Sequence, residues 1–300
     1  MNLKELAFPI RIYWDLTPQP DTAAINYGNI CDQIVEMKFF TLNLRDSGSE
    51  LSKPCIEILE RLKNRPVNVA LTVSRLVVNP PTIEYLSDLN VKELLMDACS
   101  DDELRFIAEM LRQHKNSSMV IGASFQVNSD NYRDIPDIVS FCMNNGITRI
   151  VFPMQRLSEK EECFFIGRQE GKVLTEKLRQ IEIGKLKITI HDPFLWRIFY
   201  PETAFPGAGC QAGNSMAYIS PDGNVYPCPS LPTVLGNIQE TPLKAILSSG
   251  YKKELVKSLR KPPEECLVCE EVDQCIGGCR GRTIALKNSL KLRDPACTEG

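Results

Sequence analysis

The sequence predicts an α/β protein in two parts: a mainly parallel sheet, open or closed into a barrel, then a small cysteine-rich domain. Three observations predict it. Short apolar runs alternate with amphipathic stretches over the first two thirds of the chain. A Pro/Gly-rich break follows near 201–209, with Pro201, Pro206, Gly207 and Gly209. Beyond it the cysteines crowd: seven of the twelve lie in the last 91 residues.

In chain order, the predicted strands span 10–16, 39–44, 67–73, 93–96, 119–126, 149–153 and 186–191. Helices are predicted over 50–64, 81–89, 101–115, 135–145 and 171–181. Asp101, Asp102 and Glu103 place acids in a first helical turn, where they oppose the macrodipole favourably. Asn144-Asn145-Gly146 reads as a helix stop. Strands alternating with helices imply parallel pairing, with the strand ends facing a cavity. Past the break, Pro221-Asp222-Gly223-Asn224 between two apolar runs predicts a β-hairpin. Thr241-Pro242 predicts a helix start, with Thr as cap and Pro at the first position, running toward Arg260. The domains are expected at 1–205 and 206–300.

Composition narrows the function. The 300 residues are 43% hydrophobic and 24% charged, which fits a globular chain with ample core. A net charge of −3 gives no electrostatic case for nucleic acid or an anionic membrane surface. Met1–Pro9 is too short and polar for a signal peptide, and no apolar run approaches a membrane span. A cytoplasmic location is expected, where structural disulfides are disfavoured and clustered cysteines more often bind metal.

The tightest cluster is Cys266-Leu267-Val268-Cys269, five residues to Cys275, then three to Cys279. Soft thiolates choose zinc, copper(I) or iron–sulfur cores. One tetrahedral zinc site is the plain reading of four such cysteines. Cys210, Cys228 and Cys297 bring the total to seven, which fills one four-ligand site and leaves three. Three cysteines and an open position suit a cluster whose last iron meets solvent or another molecule.

The whole pattern, with Cys210, Gly223, Cys228, Cys266, Cys269, Cys275, Cys279 and Cys297, resembles the seven-cysteine SPASM domain. That domain is the auxiliary-cluster extension of radical S-adenosylmethionine enzymes that modify peptides. The filler agrees: Ile219-Ser-Pro-Asp-Gly-Asn-Val-Tyr-Pro-Cys228, Leu235-Gly-Asn-Ile238 and Gly277-Gly-Cys-Arg-Gly281. The resemblance implies two iron–sulfur clusters of the [4Fe–4S] type. Cys266, Cys269, Cys275 and Cys297 would hold the one distal to the barrel, and Cys210, Cys228 and Cys279 the nearer one. Some relatives supply a fourth near-cluster cysteine just after the first; here Gln211–Met216 has none, leaving an iron open. Met216, a weak thioether donor, is a poor substitute.

The first domain resembles a radical S-adenosylmethionine partial (β/α) barrel in degenerate form. In that family the first strand runs into Cys-x-x-x-Cys-x-x-Cys, which holds the cofactor-cleaving cluster. Here Pro9-Ile-Arg-Ile-Tyr-Trp-Asp-Leu-Thr17 is followed by a stretch whose one cysteine is Cys31. The family's Gly-Gly-Glu-Pro is replaced by Asn43-Leu-Arg-Asp-Ser-Gly-Ser49. S-adenosylmethionine is therefore not expected as a cofactor. The chain most resembles the SPASM-domain proteins of the GeoRSP system. That implies three partners: a true radical S-adenosylmethionine/SPASM enzyme, a PqqD-like peptide chaperone and a ribosomally made peptide.

Other residues have plainer roles to set against functional ones. Cys31, Cys55, Cys99, Cys142 and Cys163 read as buried small hydrophobes, Cys31 with a small exception for its place near the lost cluster. His191, at a strand end, reads as structural, and His114 as exposed. Arg280 and Arg282 either donate to cluster sulfurs or pair with acids. Asp15, Arg45 and Asp46 belong at the cavity or in solvated loops; Trp14 and Trp196 read as core. The leading function is a non-catalytic, cluster-bearing partner that binds a peptide or sister enzyme and relays electrons. The alternatives are an enzyme with an atypical cluster site in the barrel, perhaps using Cys31, and a zinc-stapled scaffold.

Overall fold

A computed structural model describes residues 6–16, 25–114, 118–159, 162–205 and 209–297. Seven parallel strands form its centre: β1 (Arg11–Leu16), β2 (Thr41–Asp46), β3 (Asn68–Val73), β4 (Glu93–Ala98), β5 (Val120–Phe125), β6 (Arg149–Phe152) and β7 (Lys187–Ile190). They pair in sequence order, and β7 does not close back on β1, so this is an open partial barrel. Each predicted strand is present, with its ends close to those expected.

The helices follow from their caps and apolar faces. α2 (Lys53–Leu62) opens on Ser52, whose side chain accepts from the Cys55 amide, with Pro54 in the first turn. α3 (Pro80–Asp88) opens on Asn79 in the same way. α4 (Asp101–Gln113) carries the three predicted acids in its first turn, and Glu103 accepts from the Cys99 amide and the Ser100 hydroxyl. α5 (Ile135–Asn144) stops where Asn145 caps it and Gly146 turns to φ +76°. α6 (Arg168–Leu178) completes the predicted set.

Two helices escaped the sequence reading. α1 (Tyr27–Glu36) follows a proline-punctuated stretch, of which residues 17–24 lie outside the described residues. α7 (Pro193–Phe199) has only seven residues, too few for periodicity to show; Asp192 caps it by accepting from the amides of Phe194 and Leu195.

The hairpin forms as predicted. β8 (Met216–Ile219) and β9 (Asn224–Tyr226) pair antiparallel, with Gly223 at φ +81° between them, and β10 (Gly236–Asn237) adds to β9. β8 also pairs in parallel with β1, from Arg11↔Met216 to Trp14↔Ile219, so the sheet runs on past the predicted break. Of that break, residues 206–208 lie outside the described residues. The single helix predicted from Thr241 toward Arg260 is two. α8 (Leu243–Ser248) follows Pro242, which sits at the cap with no side-chain hydrogen bond. Ser249 is extended and caps α9 (Gly250–Leu259) by accepting from the Lys252 amide, because a serine there competes with the helix for backbone donors. The short α10 (Val272–Cys275) and α11 (Arg280–Lys287) complete the cysteine-rich tail.

The main core joins the two parts. It runs through Trp14, Leu44, Leu71, Met96, Ala123 and Ile150 and continues into Ala217, Ile219, Val225, Leu243 and Leu247. No described helix is long and apolar enough to cross a membrane.

Candidate metal centre

A cavity of about 370 Å³ opens where the carboxyl ends of β6 and β7 meet the cysteine-rich tail. Its walls are largely apolar, with Phe152, Met154, Phe165, Phe194 and Trp196 among them. Cys210, Cys228 and Cys279 line it together, brought there by the loop before β8, the end of β9 and the turn before α11. Among the described residues, no side chain of β1 to β4 reaches it.

A second, smaller cavity of about 40 Å³ is lined by Cys266, Cys269, Cys275 and Cys297. Cys210, Cys228 and Cys279 thus border one space, and Cys266, Cys269, Cys275 and Cys297 the other. Cys275 touches both.

Backbone amides converge on these sulfurs. Ala212 and Arg280 donate to Cys210, Ser230 and Leu231 to Cys228, Gly277 and Gly278 to Cys275, and Arg282 to Cys279 at 3.5 Å. The Gly-Gly-Cys-Arg-Gly motif explains part of this. Ile276, Gly277 and Gly278 are all left-handed, at φ +50°, +83° and +74°, which curls successive N–H groups around Cys275. Gly281 has no room for a side chain, since a Cβ there would lie 2.2 Å from the Ser230 carbonyl.

Burial pushes the thiols up: Cys279 to about 12 and Cys275 to about 11, with Cys210 raised and Cys228 well above its usual range. Loading a metal must expel those protons. The donor set fits an iron–sulfur core: soft sulfur ligands with N–H groups aimed at them. Among the described residues, no three His, Cys, Asp or Glu side chains converge closely enough for a single metal ion.

Buried charges lock this region to the barrel. Arg282 is 2% exposed; its Nε and Nη2 donate to Asp294 at 2.7 and 2.8 Å, and its Nη1 pairs with Asp192 ahead of α7. Burial opposes the Arg282 charge, but Asp192 and Asp294 outweigh it and hold the guanidinium protonated. Asp294 also accepts from the Cys279 amide at 2.6 Å, and its carbonyl accepts from the Cys297 amide at 2.9 Å. One aspartate thus ties a cysteine of each group. Arg280 takes no acid: Nη1 and Nη2 donate to the carbonyls of Leu292 and Leu290.

On the barrel side, Asp15 at the end of β1 is buried and accepts from Arg156 Nε at 2.8 Å and Nη2 at 3.1 Å, with Tyr218 Oη at 3.4 Å. Sequence reasoning missed Arg156, because nothing in its neighbourhood marks a partner 141 residues away. Arg45 pairs with Asp97 at 3.1 Å, and Asp46 is buried, accepting from the Ser52 amide at 2.8 Å. Neither Arg45 nor Asp46 lines the cavity.

Several expectations need correcting. Cys31, Cys55 and Cys142 are buried as predicted, the Cys31 thiol pushed up to about 12 by burial. Cys99 is exposed, its Sγ donating to Glu103 at 3.1 Å, and Cys163 is half-buried; both sit on loops, which periodicity does not describe. His114 is half-buried, not exposed. Trp14 is core, but Trp196 lines the cavity, because α7 was not foreseen. Met216 and His191 also line it. Burial, then Arg11, Arg156 and Arg149, lowers the His191 imidazole to about 3.

Residues 210–270 match SPASM, an iron–sulfur cluster-binding domain. The chain carries a SPASM domain. Relatives include an AdoMet-dependent heme synthase of Methanosarcina barkeri, 35% identical over 92 residues, which cover 30% of this chain and 25% of the relative. Another, from Oleidesulfovibrio alaskensis, is 27% identical, covering 59% of this chain and 51% of that one. A PqqA peptide cyclase of Gluconobacter oxydans is 23% identical over 61% of this chain and 52% of its own. The chain thus spans about a quarter to a half of the length of these relatives. Among solved structures, Streptococcus suis SuiB bound to S-adenosylmethionine superposes at TM-score 0.73, with 17% identity over 98% of this chain and 78% of SuiB. The enzyme anSMEcpe with bound AdoMet gives 0.65, with 15% identity over 94% and 93%. The fold is that of radical S-adenosylmethionine enzymes with a SPASM domain, and the SPASM domain implies iron–sulfur clusters.

Proposed function

We propose that this protein is an iron–sulfur accessory to a radical S-adenosylmethionine/SPASM enzyme, does not itself cleave S-adenosylmethionine, and relays electrons through two [4Fe–4S] clusters. Cys266, Cys269, Cys275 and Cys297 would hold the distal cluster. Cys210, Cys228 and Cys279 would hold the near one, with one iron open to the cavity. When bound, the clusters supply one-electron transfer. The chain's own residues bind and orient: the apolar cavity receives a side chain of a peptide, and His191, kept neutral, offers it a hydrogen-bond partner without charge. A PqqD-like chaperone would present that peptide. Peptide chemistry is supported by two matches: the PqqA peptide cyclase, and SuiB bound to precursor peptide SuiA at TM-score 0.71.

One observation carries the non-cleaving reading. Cys31, the lone cysteine between β1 and β2, is fully buried on α1, so no trio of thiolates is available after β1 to hold a cofactor-binding cluster. Anaerobically reconstituted protein should contain about eight irons with matching sulfide, bleached by dithionite, and release no 5'-deoxyadenosine from S-adenosylmethionine. Release of that nucleoside would establish the atypical enzyme instead; colourless, zinc-loaded protein would establish the scaffold. In Cys228→Ala, iron should fall to about four, with one paramagnetic signal lost and the other kept.

A further inference from the structure

The two arginines of the Gly-Gly-Cys-Arg-Gly-Arg run have different fates. Arg282 is taken up by Asp192 and Asp294. Arg280 is fully buried, with no carboxylate bonded to it. Its Nη atoms are spent on two carbonyls of the loop leading to Cys297, while its Nε–H is buried with no hydrogen-bond partner. Its backbone N–H donates to Cys210. Burial opposes the guanidinium charge, while Cys210, Cys266, Asp294 and Cys279, drawn from both groups of thiols, favour it. A buried cation with one unspent donor is costly unless a negative acceptor arrives. An iron–sulfur core with thiolate ligands is such an acceptor, and hydrogen bonds to its sulfurs raise its reduction potential.

We propose that Arg280 tunes the cluster held by Cys210, Cys228 and Cys279: its Nε–H donates to a sulfur of that cluster, and its buried charge raises the midpoint potential, favouring electron residence next to the cavity. This rests on the iron–sulfur reading above. The two carbonyl bonds fix the guanidinium so that the donor is already in place.

The test is a potentiometric titration, followed by electron paramagnetic resonance, of the anaerobically reconstituted full chain and of Arg280→Gln and Arg280→Lys. The signal that disappears in Cys228→Ala should shift to a lower midpoint in Arg280→Gln, more than in Arg280→Lys. The other signal should shift less. Unmoved midpoints with iron and sulfide intact overturn this assignment alone. Wild-type protein lacking iron and sulfide overturns the reading beneath it. Should Arg280→Gln assemble no clusters, Arg280→Lys, which keeps the charge and lacks the Nε–H, decides. A lower midpoint of the near-cluster signal in it supports the assignment, and an unmoved one overturns it.

Discussion

Asp294 shows how much one buried residue can organise. It holds Arg282 through two oxygens, fixes the Cys279 amide and turns the chain toward Cys297. Removing it leaves a cation that is 2% exposed with Asp192 as its one remaining carboxylate among the described residues. Asp294→Ala should therefore cost about 3–5 kcal/mol, read from the denaturant midpoint, and lower the iron content of both groups. A loss below about 1 kcal/mol would place the pair among weak surface bridges. His191 makes a pH prediction. Its imidazole titrates near 6.5 when unfolded but is lowered to about 3 in the fold, so below 6.5 the unfolded chain binds the extra proton. Stability should fall as pH drops from 6.5 toward 3, and His191→Gln should flatten that slope. Urea midpoints at about pH 7 and about pH 4.5 measure it. Neither residue's role was legible beforehand. Asp294 was visible only as the residue before Pro295, and His191 only as a strand end.

At the scale of elements, the strands were legible because each buries an apolar run beside a helix, and that pattern is local. α1, α7 and the break at Ser249 were not: one follows a proline-rich stretch, one is too short, and one depends on a single extended serine. α11 is held by space and not by propensity. Gly281→Ala would drive a Cβ into the Ser230 carbonyl and should destabilise by about 1–3 kcal/mol. At Gly250, the start of α9, a Cβ would meet nothing within 4 Å, so Gly250→Ala should gain up to about 1 kcal/mol. Thermal midpoints moving in opposite directions would confirm the contrast.

Across the whole molecule, the sequence boundary near residue 206 and the packing boundary differ. β8, β9 and α8 share the main core with the barrel strands. The tail from Pro262 to Cys297 buries little apolar surface; Cys266 and Ala296 are its buried hydrophobics. Chelation under reducing conditions should therefore release the tail first, because metal binding there substitutes for core. Hydrogen exchange should rise over 262–297 while β8, β9 and α8 stay protected with β1. Simultaneous loss of both regions would contradict this division.

Local sequence carries the strand and helix order, the crowding of seven thiols at one end and the lack of a cysteine trio after β1. These are properties of neighbouring residues, and periodicity and donor softness express them locally. Long-range packing establishes that the sheet continues from β1 into β8, that Asp15 meets Arg156, that the cavity lies toward β6 and β7, and that Arg282 is paired with carboxylates while Arg280 is not. Such pairings join residues far apart in the chain. They are set by how layers pack and which charges are buried together, and no short stretch of sequence encodes them.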